Sequence, residues 1–261
     1  MVQRAALPVP AGLRRWIAGI ELGSAGPAGE QVLAHLPDGA AALVFRVTAE
    51  GMADLLVAGP RTRASYNVGG FVPLYIRARI RPGRARPLLG APLHQLTGHV
   101  VPLSQLWGEA AGRLTGELAR LGPRPSAGFI RACIETAVLD RLAAQSHRDL
   151  TRTDLLCAAI DKLTPAGRRL EPLPELARQL AVSERHLRSL FADGVGVAPK
   201  RLASISRVRH VLAHAGHRRW TQLTTDCGYY DQSHMTAEFR RHMGTSPQAF
   251  ATGQLPAAQP C

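Results

Sequence analysis

Residues 183–202, SERHLRSLFADGVGVAPKRL, and residues 231–250, DQSHMTAEFRRHMGTSPQAF, are two copies of one pattern set 48 positions apart. The step carries Ser183 onto Asp231, Leu187 onto Met235, Phe191 onto Phe239, Gly196 onto Gly244, Pro199 onto Pro247 and Leu202 onto Phe250. Each copy opens on a helix-capping side chain and places an apolar residue and a Phe four apart, on one helix face. Gly just past the last turn and Pro soon after it mark a helix stop and the next helix start. A further short helix precedes each copy, over residues 174–180 and 220–227. Two short helices joined by a tight turn, twice over, predict a tandem helix-turn-helix.

At 3.6 residues per turn, the first copy directs Leu187, Leu190 and Phe191 inward and leaves Arg185, Arg188 and Ser189 outside. The second directs Met235, Phe239 and Met243 inward and leaves Ser233, Thr236, Ala237 and Arg240 outside. Two ordinary surface helices with solvated arginines are the bland alternative, but the repeated Gly and Pro punctuation weighs against it. Residues 199–214 form the link, with Leu202, Ile205, Val208 and Leu212 on one face and Lys200, Arg207 and His214 on the other. That helix is about 24 Å long at 1.5 Å per residue. It can hold two recognition helices at spacings approaching the ~34 Å between successive major grooves.

The roles follow from chemistry. Arg185 and Arg188 can offer bidentate donors to guanine, while Ser189, Ser233 and Thr236 can bond a base edge or a phosphate. Arg240 and the cap-region amides near Ser183 and Asp231 would position the DNA backbone. Arg207, on the polar face of the link, and Gln232, angled partly inward, complete the candidate contacts.

The run Ala177-Arg178-Gln179-Leu180-Ala181-Val182-Ser183, followed by Leu187 and Phe191, resembles the first helix-turn-helix of the AraC/XylS transcription regulators. The run from Cys227 to Met235, then Phe239-Arg240-Arg241, Gly244-Thr245-Ser246-Pro247 and Phe250, is similar to that family's second signature. The resemblance covers about residues 151–252. It implies a sequence-specific regulator of transcription that binds double-stranded DNA, and contact with RNA polymerase if it activates. The chain departs from the pattern at Ala237, where the family often carries Arg. It also has Tyr229 and Met235 where Phe is usual, which keeps the core apolar.

The 261 residues suffice for two domains, and 46% hydrophobic residues is an ordinary globular composition. A formal charge of +13 favours a polyanionic partner. The excess is not confined to the repeat, since residues 151–261 hold 15 Lys and Arg against 9 Asp and Glu, and residues 1–150 hold 17 against 10. Cys133, Cys157, Cys227 and Cys261 show no metal-ligand pairing and imply no disulfide framework, which suits a reducing cytoplasm. No signal peptide and no membrane span is read, so a cytoplasmic protein is expected.

The first half reads differently. Residues 1–30 give no clear element. Residues 32–36, 40–48, 52–58 and 71–80 read as strands, with turns at Pro37-Asp38-Gly39 and Gly59-Pro60. Residues 81–107, broken by Pro and Gly, read as short turns and helical pieces. Residues 61–86 hold seven arginines and no acidic residue, which reads either as a solvated face or as a site for an anionic effector or a second DNA contact. This half resembles the β-rich sensor domain of one AraC-type subgroup, which implies a cupin-like or related barrel able to sense a small molecule.

Helices are expected over 103–121 and 126–145, separated by Gly122-Pro123-Arg124-Pro125. The second could dimerise the chain or close the core of the first half. The expected fold class is therefore α+β: a β-rich unit over 1–125, a linker over 126–150, an all-α tandem helix-turn-helix over 151–252 and a flexible tail over 253–261.

No GxSxG, HExxH, Walker loop or dinucleotide fingerprint is present, so neither an enzyme nor a cofactor is expected. Aromatic residues, 5% of the chain and not interleaved with the arginines, argue against a single-strand stacking platform. Two alternatives to a ligand-responsive regulator remain: a DNA repair or modification protein using the same reader, and a non-specific basic DNA-coating protein.

Overall fold

The structure, a computed structural model, describes residues 3–25, 32–68, 71–120, 126–163 and 171–259. The first half is built on strands β1 (Gln3–Leu7), β2 (Ile17–Ala25), β3 (Val32–His35), β4 (Ala42–Val47), β5 (Ala53–Ala58), β6 (Ser65–Val68), β7 (Val72–Ile80) and β8 (Val100–Pro102). Six of them form an antiparallel sheet in the order β1-β2-β7-β4-β5-β8, and β3 pairs with β6 in a separate two-stranded ribbon.

Alternation decides what each sheet face does. Ile20, Leu43, Phe45, Val57, Ile76, Ala78 and Ile80 line one face and are buried in a single core. Helices α1 (Ala85–Leu89), α2 (Ser104–Trp107), α3 (Glu109–Ala119) and α4 (Ala127–Ala143) cover that face. The other face mixes charged and apolar side chains, with Val44 in register with both Arg77 and Leu56. Arg77 and Arg79 lie on it in β7, with Glu21 of β2 in register with Arg77 and Ala42 of β4 in register with Arg79.

The strands expected over 32–36, 40–48, 52–58 and 71–80 are present with trimmed ends. Four strands escaped the sequence reading. The largest, β2, carries Gly19 before Ile20 and Gly23 after Leu22, so its alternation is masked by residues that seldom favour strands. It lies beside β7 with register shifts at Ile17/Gly19 and Gly23/Ala25. The helix expected over 103–121 is divided by Gly108, whose φ of 56° separates α2 from α3. The break expected at 122–125 lies outside the described residues. Helix α4 buries Ile130, Ile134 and Val138 in the first core while leaving Phe129 and Leu139 exposed.

The second half is helical throughout: α5 (His147–Leu163), α6 (Leu173–Gln179), α7 (Glu184–Gly194), α8 (Pro199–His214), α9 (Trp220–Asp226), α10 (Gln232–Met243) and α11 (Pro247–Ala251). Helix α5 begins at His147, inside the stretch assigned to a linker over 126–150, and Ser146 accepts the N–H of Asp149 there.

Two cores divide the helical half. Leu187, Leu190, Phe191 and Leu202 share one with Leu156, Ile160 and Leu176; Val208, Val211, Met235, Phe239 and Met243 share the other with Leu223 and Tyr229. Helix α8 gives Leu202 to the first and Val208 and Val211 to the second, so one rigid rod belongs to both.

The halves are closely docked. Ala64 donates its N–H to the carbonyl of His242 at 2.7 Å, and the Tyr66 hydroxyl donates to the Met243 carbonyl at 2.7 Å. Gly39 lies so near α8 that a Cβ there would collide with the Leu202 side chain. The tail expected to be flexible instead folds back onto β6: Gln259 donates to the Tyr66 carbonyl at 2.8 Å and accepts from the Val68 N–H at 3.1 Å. Backbone pairing with a strand edge holds it there. Cys261 lies outside the described residues.

Candidate nucleic-acid interface

Both helices of the repeat start as their caps dictate. The Ser183 hydroxyl accepts the N–H of His186 at 3.1 Å, and the Asp231 carboxylate accepts that of His234 at 2.7 Å. Each cap satisfies one of the N–H groups that an α-helix leaves without a partner at its start.

On α7, Leu187, Leu190 and Phe191 are buried, and Arg185, His186, Arg188 and Ser189 are exposed on the other side. Arg188 is 62% exposed and rests on Glu184, one turn earlier, at 2.7 Å. A surface pair of this kind contributes about 0.3–0.5 kcal/mol, small enough for a stronger acceptor to displace. On α10, Gln232, Ser233, Ala237, Arg240 and Arg241 are exposed and Thr236 is half-buried. Gln232 points outward at the first helical position, where the sequence suggested a partly inward direction.

Arg207 is placed elsewhere. Its guanidinium faces the interior between α8 and α10 and donates to both carboxylate oxygens of Glu238, at 2.9 and 2.6 Å. The Tyr229 hydroxyl donates to Glu238 at 2.9 Å, and Arg207 lies over the Tyr229 ring. Burial alone would raise the Glu238 carboxyl, but the Arg207 bonds outweigh it and hold the group below the usual carboxylate range. Arg207, counted among the DNA contacts from its spacing, therefore joins two helices. The period of a lone helix shows which side a residue is on but not what neighbour lies there.

The sequence reading passed over His186 and Arg241 on the exposed faces, and Tyr230, 93% exposed just before the α10 cap. For His186 and Arg241 the signal was present: each adjoins a chosen arginine on the same exposed arc. Tyr230 follows from the turn. In the first unit the left-handed residue, Ala181 at φ 53°, is two positions before its cap; in the second, Gly228 at φ 68° is three before its own. The extra residue is Tyr230.

No group of three or more His, Cys, Asp or Glu side chains among the described residues could hold a metal ion. No helix of the described residues is long and apolar enough to cross a membrane. Cys133, Cys157 and Cys227 are free thiols, and burial pushes that of Cys227 up to about 11, which keeps it protonated and unreactive.

Residues 176–253 match a protein family described as a helix-turn-helix domain. The chain is 25% identical over 170 residues to the HTH-type transcriptional regulator GlxA of Rhizobium meliloti (strain 1021), an alignment covering 64% of this chain and 52% of that protein. The chain thus spans about half the length of that curated relative. The solved DNA-binding domain of AdpA in complex with a target DNA is similar at 20% identity and a TM-score of 0.34, over 39% of this chain and 90% of that one. ToxT from Vibrio cholerae is similar at 11% identity and a TM-score of 0.44, over 91% of this chain and 98% of that one. The repeat, its two cores and the matched family agree: the C-terminal part of this chain is a helix-turn-helix domain of the AraC type.

Proposed function

We propose that this protein is a sequence-specific regulator of transcription that reads two adjacent major-groove segments of double-stranded DNA, one with α7 and one with α10. The observation that carries the reading is the shared membership of α8 in both helical cores. A helix packed into both units fixes the offset of the recognition helices, and a fixed offset suits one face of a regular duplex. Arg185, Arg188 and Ser189 supply the first set of contacts; Gln232, Ser233, Thr236 and Arg240 supply the second.

The β-rich half makes the regulator responsive to an effector. Its turn at Asp38-Gly39 and its loop at Thr62–Ala64 lie against α8 and α10, so any change in that half reaches the reader directly. The exposed Phe129 and Leu139 of α4 suit a second copy of the chain. The place of action is the cytoplasm, where three free thiols stay reduced.

Nuclease footprinting of the full chain on genomic fragments tests this reading. One short protected segment, spanning about two helical turns, supports it; uniform protection of every fragment would show a coating protein instead.

A further inference from the structure

On the face of the six-stranded sheet that carries Arg77 and Arg79, four arginines crowd two carboxylates. Asp38, 4% exposed, accepts from Arg79 through both oxygens at 2.6 and 2.7 Å. Arg77 reaches Asp38 at 3.5 Å and Glu21 at 4.0 Å. Arg209 comes from α8, placing one nitrogen 3.4 Å from Asp38 and donating to the Pro37 carbonyl at 3.2 Å. Arg61 is joined to Asp38 through the backbone, at 2.7 and 2.8 Å, yet its guanidinium forms no ion pair among the described residues.

Four guanidiniums against two carboxylates leave a surplus of two positive charges, and arginine cannot shed its proton to relieve it. Burial and the charge of Arg77 hold Arg61 below its ordinary value. Burial, with Arg79 and Arg77, does the same for Arg209 against the pull of Asp38. The surplus borders a half-open cavity of about 270 Å³, lined on one side by Asp38, Gly39 and Arg79 and on the other by Ser206, Arg209 and His210 of α8. That volume is just under the ~300 Å³ at which sites for drug-sized molecules begin, and the walls on two sides exclude a duplex strand.

We propose that this cavity binds a compact dianion, held by Arg79 and Arg209 with Arg61 and Arg77 supplying the remaining charge. Asp38 acts as a resident carboxylate that keeps the arginines converged while no ligand is bound. Ser206 and His210 offer hydrogen bonds from the α8 side. A doubly charged ligand fits the surplus of two, whereas a single carboxylate would leave half of it unmet. Since Arg79 belongs to the β-rich half and Arg209 to the rod that spaces the recognition helices, the ligand ties the two halves together.

The site deepens the effector-responsive reading. Anion binding is measured without DNA and DNA binding without the anion, so either can fail alone. Isothermal titration and thermal unfolding of the full chain, at constant ionic strength, would compare inorganic phosphate and malonate with acetate and chloride. The expected result is saturable binding of a dianion with a raised melting temperature, phosphate and malonate distinguishing a phosphate ester from a dicarboxylate ligand. Arg209→Gln should weaken binding by about tenfold, the weight of one charged hydrogen bond, and Arg61→Gln, which acts through its charge alone, by a smaller factor that shrinks as salt is added. Arg61 has no ion pair to lose, so Arg61→Gln tests the site even if Arg209→Gln unsettles the fold. Dianions that bind no better than acetate, unchanged binding in Arg61→Gln, or an equal loss in Arg188→Gln on the DNA face would each overturn the proposal.

Discussion

Arg207 of α8 and Glu238 of α10 meet through two parallel hydrogen bonds, Nε to Oε1 at 2.9 Å and Nη2 to Oε2 at 2.6 Å, with side chains only 19% and 7% exposed. The pair fixes the angle of the second recognition helix on the rod that carries it. Arg207→Ala leaves Glu238 charged and buried, which costs about 3 kcal/mol. Replacing both, with Arg207→Met and Glu238→Leu, should restore much of that stability, because no orphaned charge remains. Urea unfolding of the two variants checks the order. In DNA titrations Arg207→Ala should weaken all sequences alike, since it reads no base.

Arg188 stands outward on α7 with only Glu184 to hold it. Arg188→Ala should lower affinity for the preferred site by about 1–3 kcal/mol and relax preference at one base position. Binding measured against a set of single-base replacements checks both; equal weakening of every sequence would make Arg188 a phosphate contact.

Ala237 is exposed between Ser233 and Arg240 on α10 and carries only a methyl group. It can touch a thymine methyl but cannot pair with guanine. The first unit should therefore supply most of the base discrimination. Ala237→Arg should add affinity or a new guanine preference in the second half-site. Systematic base replacement across both half-sites decides it, and a second half-site as sensitive as the first would refute the asymmetry.

His242 is buried between three elements: its Nδ1 is 2.6 Å from the Thr62 carbonyl and its Nε2 2.7 Å from the Ser204 hydroxyl. The carbonyl can only accept, so Nδ1 carries the proton and Nε2 accepts from Ser204. Burial lowers the imidazole below 6.5, outweighing the Thr62 carbonyl, with Arg201 and Arg241 adding to the effect and Glu238 opposing it. The unfolded chain then binds the proton more readily than the folded one, so the stability contribution is full above 6.5 and is lost as pH falls through the lowered value. The melting temperature should fall between pH 7 and 5, and fall less in His242→Gln. Equal slopes would remove His242 as a cause.

Ala181, at φ 53°, takes the left-handed turn between α6 and α7 that Gly228 takes in the second unit. A side chain in that conformation costs about 1–2 kcal/mol, and glycine loses about 0.4–1 kcal/mol through its freer unfolded state. Ala181→Gly should therefore raise stability by about 0.5–1 kcal/mol, readable as a shift in the urea midpoint.

The helical half was legible because its signals are local. Caps at Ser183 and Asp231, apolar pairs four apart, and Gly and Pro at fixed offsets each act within a turn or two of chain, so the sequence alone determined α7, α8 and α10. The strands over 32–58 and 71–80 were legible for the same reason, through alternation and turn residues. What lay beyond reach depends on partners far along the chain. Strand β2 is held in place by β7, whose partners run from Val72 for Ala25 to Ile80 for Ile17, and its glycines hide the alternation. Gln259 settles on β6 through backbone groups that every residue possesses, which no side-chain pattern announces. Arg207 faces Glu238, 31 residues on, because two helices cross there, and Asp38 gathers arginines from β7 and α8 because a turn and a rod come into contact. Periodicity assigns a side chain to a face; only the packing of one element on another decides whether that face meets water, a counter-charge or a cavity.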